Sequence, residues 1–219
     1  MNNIKDIYTN FNFSKDYKNK LIKFLKNNTT VESGGNKLFD GSYNTLLHIP
    51  DELAELIIYL KKACKKKKIN NFLEIGFSHG ICNTILNKFF NFKTNVSIDT
   101  FGPHINGNVL LANMRFKNLT LFCGNSNNKL IINGIKKFEK FDLIFIDGSH
   151  EYDYVKKDFE SYFPMLNSKG LIIFHDINIK DSGSKKFWNE IKRKFKKKKI
   201  KEIIVKKYKF SFGYGILEF

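Results

Sequence analysis

The stretch Asn71-Phe72-Leu73-Glu74-Ile75-Gly76-Phe77-Ser78-His79-Gly80 decides the fold. Its first five residues are a short, largely apolar run. A glycine-bearing turn follows, and a helix is expected to begin near Ile81. Strand, tight turn and helix in that order make the first half of a βαβ unit. Gly76 lets the backbone turn sharply and approach a ligand, and the helix start offers amide groups to an anion. A G-x-x-x-G turn is weak by itself, so its surroundings must decide.

Downstream the alternation repeats. Residues 95 to 99, 119 to 123, 141 to 147 and 171 to 174 read as four more strands. Helical stretches separate them, such as 151 to 165 with Tyr152, Val155, Phe159 and Tyr162 on one side. Short strands that are apolar on both faces argue for a parallel sheet covered on both sides, with right-handed crossovers. The tail differs. After a helix marked by Trp188, Ile191 and Phe195, the segments Ile203-Ile204-Val205 and 214 to 219 have no room for a helix between them and should pair antiparallel at one edge. The expected fold class is α/β, a Rossmann-like three-layer sandwich on a mostly parallel seven-stranded sheet with an antiparallel C-terminal edge hairpin.

Upstream, Pro50 opens a helix whose Leu53, Leu56, Ile57 and Leu60 fall on one face. Residues 1 to 45 mix polar and aromatic side chains, with a helix expected over 16 to 26 and a turn at Ser33-Gly34-Gly35-Asn36. They read as an N-terminal helical lid or extension, and 46 to 219 as the ligand-binding domain.

Composition sets bounds on function. A chain of 219 residues, 42% hydrophobic and 15% aromatic, has enough core for one α/β domain and too little for two large ones. The net charge of +17 would ordinarily point to a polyanionic partner. Here only Arg115 and Arg193 are arginines, while lysine, asparagine, isoleucine and phenylalanine abound together, as AT-rich codons would produce. Phosphate and base recognition favours the arginine fork, so a nucleic-acid partner is disfavoured. The runs Lys65-Lys66-Lys67-Lys68 and Lys196-Lys197-Lys198-Lys199 read as solvated helix ends. No apolar stretch approaches the roughly 20 residues of a membrane span, and none near Met1 has signal-peptide character. Cys64, Cys82 and Cys123 are odd in number and widely spaced, which suits reduced thiols and a cytoplasmic location. A homo-oligomer stays open.

Ligands of open α/β sheets bind beyond the carboxyl ends of the strands, so the polar residues there carry the functional reading. Asp99 ends strand two about 20 residues after the turn, where an acid can accept hydrogen bonds from two ribose hydroxyls. Gly124-Asn125-Ser126 ends strand three and could hold an adenine edge. Turn chemistry alone would explain Asp99 or Asn125 singly, but the two in order favour a nucleoside site. Strand four runs into Asp147-Gly148-Ser149-His150, and strand five into His175-Asp176. Asp147 and Asp176 could share a Mg²⁺-like ion, which would acidify a substrate hydroxyl. His150, with an ordinary pKa of about 6.5, could take the proton, or could merely cap the helix that follows. His79 and His104 read as loop residues, and His48 as structural or part of a substrate rim.

This pattern resembles the class I S-adenosylmethionine-dependent methyltransferases, whose first motif carries an acid before the glycine turn as Glu74 stands before Gly76. A nicotinamide-binding relative would show G-x-G-x-x-G, which is absent. Ser78 stands where the usual methyltransferase turn has its middle glycine. Residues 141 to 176, with Ile49-Pro50-Asp51-Glu52-Leu53, Phe187-Trp188 and Gly213-Tyr214-Gly215, are similar to the group that includes macrocin O-methyltransferase and the cephalosporin hydroxylase-like proteins. The resemblance implies S-adenosylmethionine as cofactor, held by Glu74, Gly76, Ser78, Gly80, Asp99, Asn125, Ser126 and Asp147. It implies a small hydroxylated acceptor, such as a sugar. In relatives that use a metal, an acid on strand four and an acidic pair after strand five hold it. Asp147 and Asp176 match those places, His175 replaces the first acid of the pair, and His150 matches the base. RNA or protein methylation, and a non-catalytic nucleotide-binding module, are the alternatives.

Overall fold

A computed structural model describes residues 4–27, 46–102, 114, 117–208 and 211–219. The expected turn at 33–36, the loop residue His104 and much of the expected lid lie outside them.

The described chain runs α1 (Ile4–Thr9), α2 (Lys15–Lys26), α3 (Pro50–Cys64), β1 (Asn71–Ile75), α4 (Ile81–Phe90), β2 (Thr94–Asp99), β3 (Leu119–Cys123), α5 (Lys129–Ile135), β4 (Phe141–Ile146), α6 (Tyr152–Tyr162), a 3₁₀ turn (Phe163–Met165), β5 (Leu166–Phe174), α7 (Gly183–Lys194), β6 (Lys199–Ile203) and β7 (Tyr214–Glu218). The seven strands form one sheet in the order β3-β2-β1-β4-β5-β7-β6. β1 to β5 are parallel, and β7 runs antiparallel to both β5 and β6. The fold class is the expected one. Strand order reverses between β1 and β4, so a crevice opens there at the carboxyl ends.

Side-chain alternation along β1 divides the core. Phe72 points to a face covered by α1 to α4, where Leu21, Leu25, Leu53, Leu56, Leu60 and Phe89 pack on it. Leu73 and Ile75 point to the opposite face, under Val155, Phe159, Phe187, Trp188 and Ile191 of α6 and α7. Burial on both faces is why these strands read as unbroken apolar runs. α2 starts at Ser14, whose hydroxyl accepts from the Tyr17 amide, and packs Tyr17, Leu21 and Leu25 into the same core as α3.

Two boundaries differ from the sequence reading. β5 begins at Leu166, because a register irregularity between Phe141 and Leu143 carries the pairing back to that residue. β6 begins within the second lysine run and ends at Ile203. Val205 leaves the ladder because its amide donates to Glu52 Oε1 at 2.9 Å. Glu52 is fully buried on α3 and also accepts from Ser211 Oγ and, at 3.0 Å, from the Gly213 amide. One carboxylate thereby ties the tail segment 205–213 to the helix that begins at Pro50.

Candidate active site at the carboxyl ends of the strands

A cavity of about 620 Å³ opens at the carboxyl ends, lined on one side by Gly76, Ser78, Asp99, Gly124, Asn125 and Ser126 and on the other by His48, Asp147, His150, His175 and Asp176. Its size is that of a small-molecule site.

On the first side, Gly76 has φ +97 and sits where a Cβ would lie 2.1 Å from the Asp147 carbonyl oxygen. Ser78 also takes a left-handed conformation, with φ 50, so serine stands in for glycine at some backbone cost. Its amide donates to Asp99 Oδ2 at 2.7 Å, while Asp99 Oδ1 accepts from the Phe101 amide at 2.7 Å. Asp99 thus shapes two loops as well as the cavity wall. Gly80 is the N-cap of α4, with φ 74 and no side-chain cap. The first helical residues, Ile81 and Cys82, line the cavity.

Three of the expected cofactor residues have other engagements. Glu74 is buried beneath the turn and accepts from Asn83 Nδ2 at 2.8 Å and Ser97 Oγ at 2.9 Å. Burial raises its pKa to about 8 against those two hydrogen bonds. Ser126 Oγ donates to Asp158 Oδ1 at 2.6 Å, and Asn125 Oδ1 accepts from the Asn127 amide at 2.8 Å. The Asn83 and Ser97 partners of Glu74, and Asn95, which bonds Asn83 at 2.7 Å, were not singled out from sequence. The signal was there, in polar residues on the inner side of α4 and at alternate positions of β2.

On the second side the ends of β4 and β5 bring two carboxylates and two imidazoles together, and a third imidazole joins them from ahead of α3. His150 Nδ1 donates to Asp176 Oδ2 at 2.8 Å. His175 Nδ1 lies 2.8 Å from Asp147 Oδ1 and 3.5 Å from Asp176 Oδ2. His48 Nε2 is 3.5 Å from Asp147 Oδ2, and its Nδ1 is 2.8 Å from the Tyr214 hydroxyl. His48 was expected to be structural or a rim residue. Nothing local in sequence marks it as a neighbour of Asp147.

The charges are interdependent. Burial would lower His175, but Asp147 and Asp176 outweigh it and hold the imidazole at about 9. Burial pushes Asp147 up against the attraction of His175. Asp176 is held below the usual carboxylate range, because His175 and His150 override its burial. His48 is driven well below its ordinary value by burial and by His175. The hydrogen bond to Asp176 raises His150, whose side chain is 60% exposed at the cavity.

A methyltransferase-domain family matches residues 73–177, the span from within β1 to just beyond β5 that supplies most of the cavity lining, while Leu46, Leu47, His48, Ile179 and Phe212 lie outside it. Over that span, just under half of its length, the chain is similar to methyltransferase domains. An uncharacterized protein, y4gI, of Sinorhizobium fredii is 36% identical over 52 residues, which are 23% of this chain and 6% of that protein's length. Among solved structures, a caffeoyl-CoA O-methyltransferase-like protein from Staphylococcus aureus superposes with a TM-score of 0.56 at 18% identity, over 75% of this chain and 82% of its own. The O-methyltransferase of Bacillus cereus, solved with S-adenosylhomocysteine, gives 0.58 at 15% identity over 89% and 99%. The Streptomyces achromogenes O-methyltransferase TomG, solved with S-adenosylmethionine, gives 0.58 at 13% identity over 98% and 95%. At these identities the likeness is one of fold. No helix among the described residues is long and apolar enough to cross a membrane.

Proposed function

We propose that this protein transfers a methyl group from S-adenosylmethionine to a hydroxyl of a small acceptor, with His150 as general base. The observation that carries the reading is the His150–Asp176 pair at the cavity, with Nδ1 committed to Asp176 at 2.8 Å and Nε2 left as the nitrogen to receive a proton. S-adenosylmethionine supplies a methyl activated by a sulfonium sulfur. The chain's contribution is placement. Gly76 and Ser78 would bring the turn against the cofactor, Asp99 would accept from its ribose hydroxyls, and the amides at the start of α4 would serve its carboxylate. His150 would take the hydroxyl proton as the acceptor oxygen bonds to the methyl carbon and the bond from that carbon to the sulfonium sulfur breaks, leaving S-adenosylhomocysteine. Asp176 orients the ring and stabilises the imidazolium that forms.

Of the residues expected to hold a divalent cation, Asp147 and His175 meet at 2.8 Å and their donors fit such an ion, whereas Asp176 is bound to His150. When bound there, the ion would supply positive charge that acidifies the acceptor hydroxyl. A sugar hydroxyl is our reading of the acceptor, resting on the family resemblance and on a small-molecule-sized cavity. The three free thiols support a cytoplasmic location.

RNA or protein methylation is less well supported by the placement of charge. Lys67 and Lys199 both reach Glu218, at 3.6 and 2.7 Å, and Glu218 pairs with Leu171 away from the carboxyl end of β5. The lysine runs therefore gather at the end of the sheet remote from the cavity.

Calorimetry with S-adenosylhomocysteine, followed by incubation with S-adenosylmethionine and a panel of hydroxylated acceptors, tests the reading. Saturable binding and His150-dependent release of S-adenosylhomocysteine are expected. Absence of binding to either form of the cofactor would overturn it.

A further inference from the structure

We propose that His48, Asp147 and His175 form a site for a borderline transition-metal dication of the zinc, cobalt or iron(II) class, in preference to magnesium. One donor atom from each of the three lies within 4.8 Å of the other two. His48 and His175 are each only 4% exposed, so the donors stand in a place shielded from bulk water.

The donor set decides the class of ion. Magnesium favours an octahedral shell of oxygens and dehydrates reluctantly. Two imidazole nitrogens and one carboxylate suit zinc and its transition-metal neighbours instead. The carboxylate that could shift the balance back toward oxygen is Asp176, which is bonded by His150 at 2.8 Å. That divides the four polar residues at the ends of β4 and β5 into two devices. Asp176 orients His150, while Asp147 and His175 join His48.

Two further features fit a ligand role. The Tyr214 hydroxyl, 2.8 Å from His48 Nδ1, settles which nitrogen of His48 is turned toward Asp147. Metal-binding histidines are commonly fixed through their second nitrogen in this way. His175 Nε2 is buried and has no hydrogen-bond partner. Such an atom in a packed site calls for an explanation, and an ion bound through that nitrogen would provide one. The inference extends the proposed function by naming the ion, and rests on that reading for the ion's place in the reaction. Binding itself is measured without cofactor or acceptor.

The test is titration of chelator-treated full-length protein with Co²⁺, followed through visible ligand-field absorption, with Zn²⁺ and Mg²⁺ as competitors. The expected result is one Co²⁺ per chain, displaced by Zn²⁺ and retained in a hundredfold excess of Mg²⁺. His48→Gln and His175→Gln should each weaken Co²⁺ binding by about a hundredfold or more, while Asp176→Asn leaves it within about threefold. Tyr214→Phe removes one hydroxyl and should weaken binding by about tenfold, which keeps the proposal exposed to failure if a histidine variant misfolds. No stoichiometric Co²⁺ uptake overturns it, as does ready displacement by Mg²⁺, or loss in Asp176→Asn with retention in His48→Gln. Metal uptake without methyl transfer would sink the proposed function and leave this site standing. Methyl transfer by a protein that takes up no metal would do the reverse.

Discussion

The backbone of Gly76 passes so close to that of Asp147 that a Cβ on residue 76 would fall 2.1 Å from the Asp147 carbonyl oxygen and 2.8 Å from the Gly148 amide nitrogen. Two strand ends meet there with no side chain between them. Gly76→Ala must therefore push β4's end away and strain a residue at φ +97. We expect it to destabilise the fold by about 3 kcal/mol or more in urea unfolding. Stability within 1 kcal/mol of wild type, on the order of measurement error plus a surface substitution, would contradict the contact.

Asp99 accepts from the amides of both Ser78 and Phe101. Asp99→Asn must turn an NH₂ group toward one of these donors, which disturbs a loop as well as any ribose contact. The expected loss of S-adenosylhomocysteine affinity is about tenfold to a hundredfold by calorimetry, in line with hydrogen bonds to charged groups. Unchanged affinity would remove Asp99 from the cofactor site.

His150 and Asp176 should separate in kinetics. His150→Ala is expected to lower kcat by about a hundredfold or more with little change in acceptor KM. Asp176 raises the His150 pKa, and a base works only when deprotonated, so activity should climb as pH rises through that value. Asp176→Asn, chosen because asparagine tolerates the positive φ of 60 at that position, should move the climb to lower pH. A profile that does not move would mean that Asp176 acts on something other than His150.

Glu74 gives a stability prediction of definite sign. Its folded pKa of about 8 lies above the ordinary 4.5, so the folded state holds the proton more tightly than the unfolded one. Stability is therefore greatest below the unfolded value and falls as pH rises toward 8. Glu74→Gln, whose carbonyl can still accept from Asn83 and Ser97, should flatten this slope and gain on the order of 1 to 3 kcal/mol at pH 8. Parallel slopes in urea unfolding at pH 5 and pH 8 would show that Glu74 ionises inside the fold without penalty. Because Glu74 lies under the turn, cofactor affinity should stay within about threefold.

What could be read from sequence follows from how each feature is encoded. The parallel strands are legible because residues such as Leu73 and Ile144 are buried on one face and Phe72 and Phe145 on the other, which leaves apolar runs with sharp ends. Asp147, His150, His175 and Asp176 are legible because strand ends in this architecture are where ligands sit. His48 is different. It reaches Asp147 through tertiary packing ahead of α3 and through Tyr214 on β7, and no local periodicity carries that information. The end of β6 escaped for a similar reason, since a carboxylate on α3 draws Val205 out of the ladder.

The bond between His48 and Tyr214 has a consequence for the order of assembly. The turn at Gly76 and Asp99 precede β7 by more than a hundred residues. Only when the last strand slots between β5 and β6 does His48 gain the hydroxyl that holds its ring. His48 therefore depends for the partner at its Nδ1 on a residue far along the chain from it.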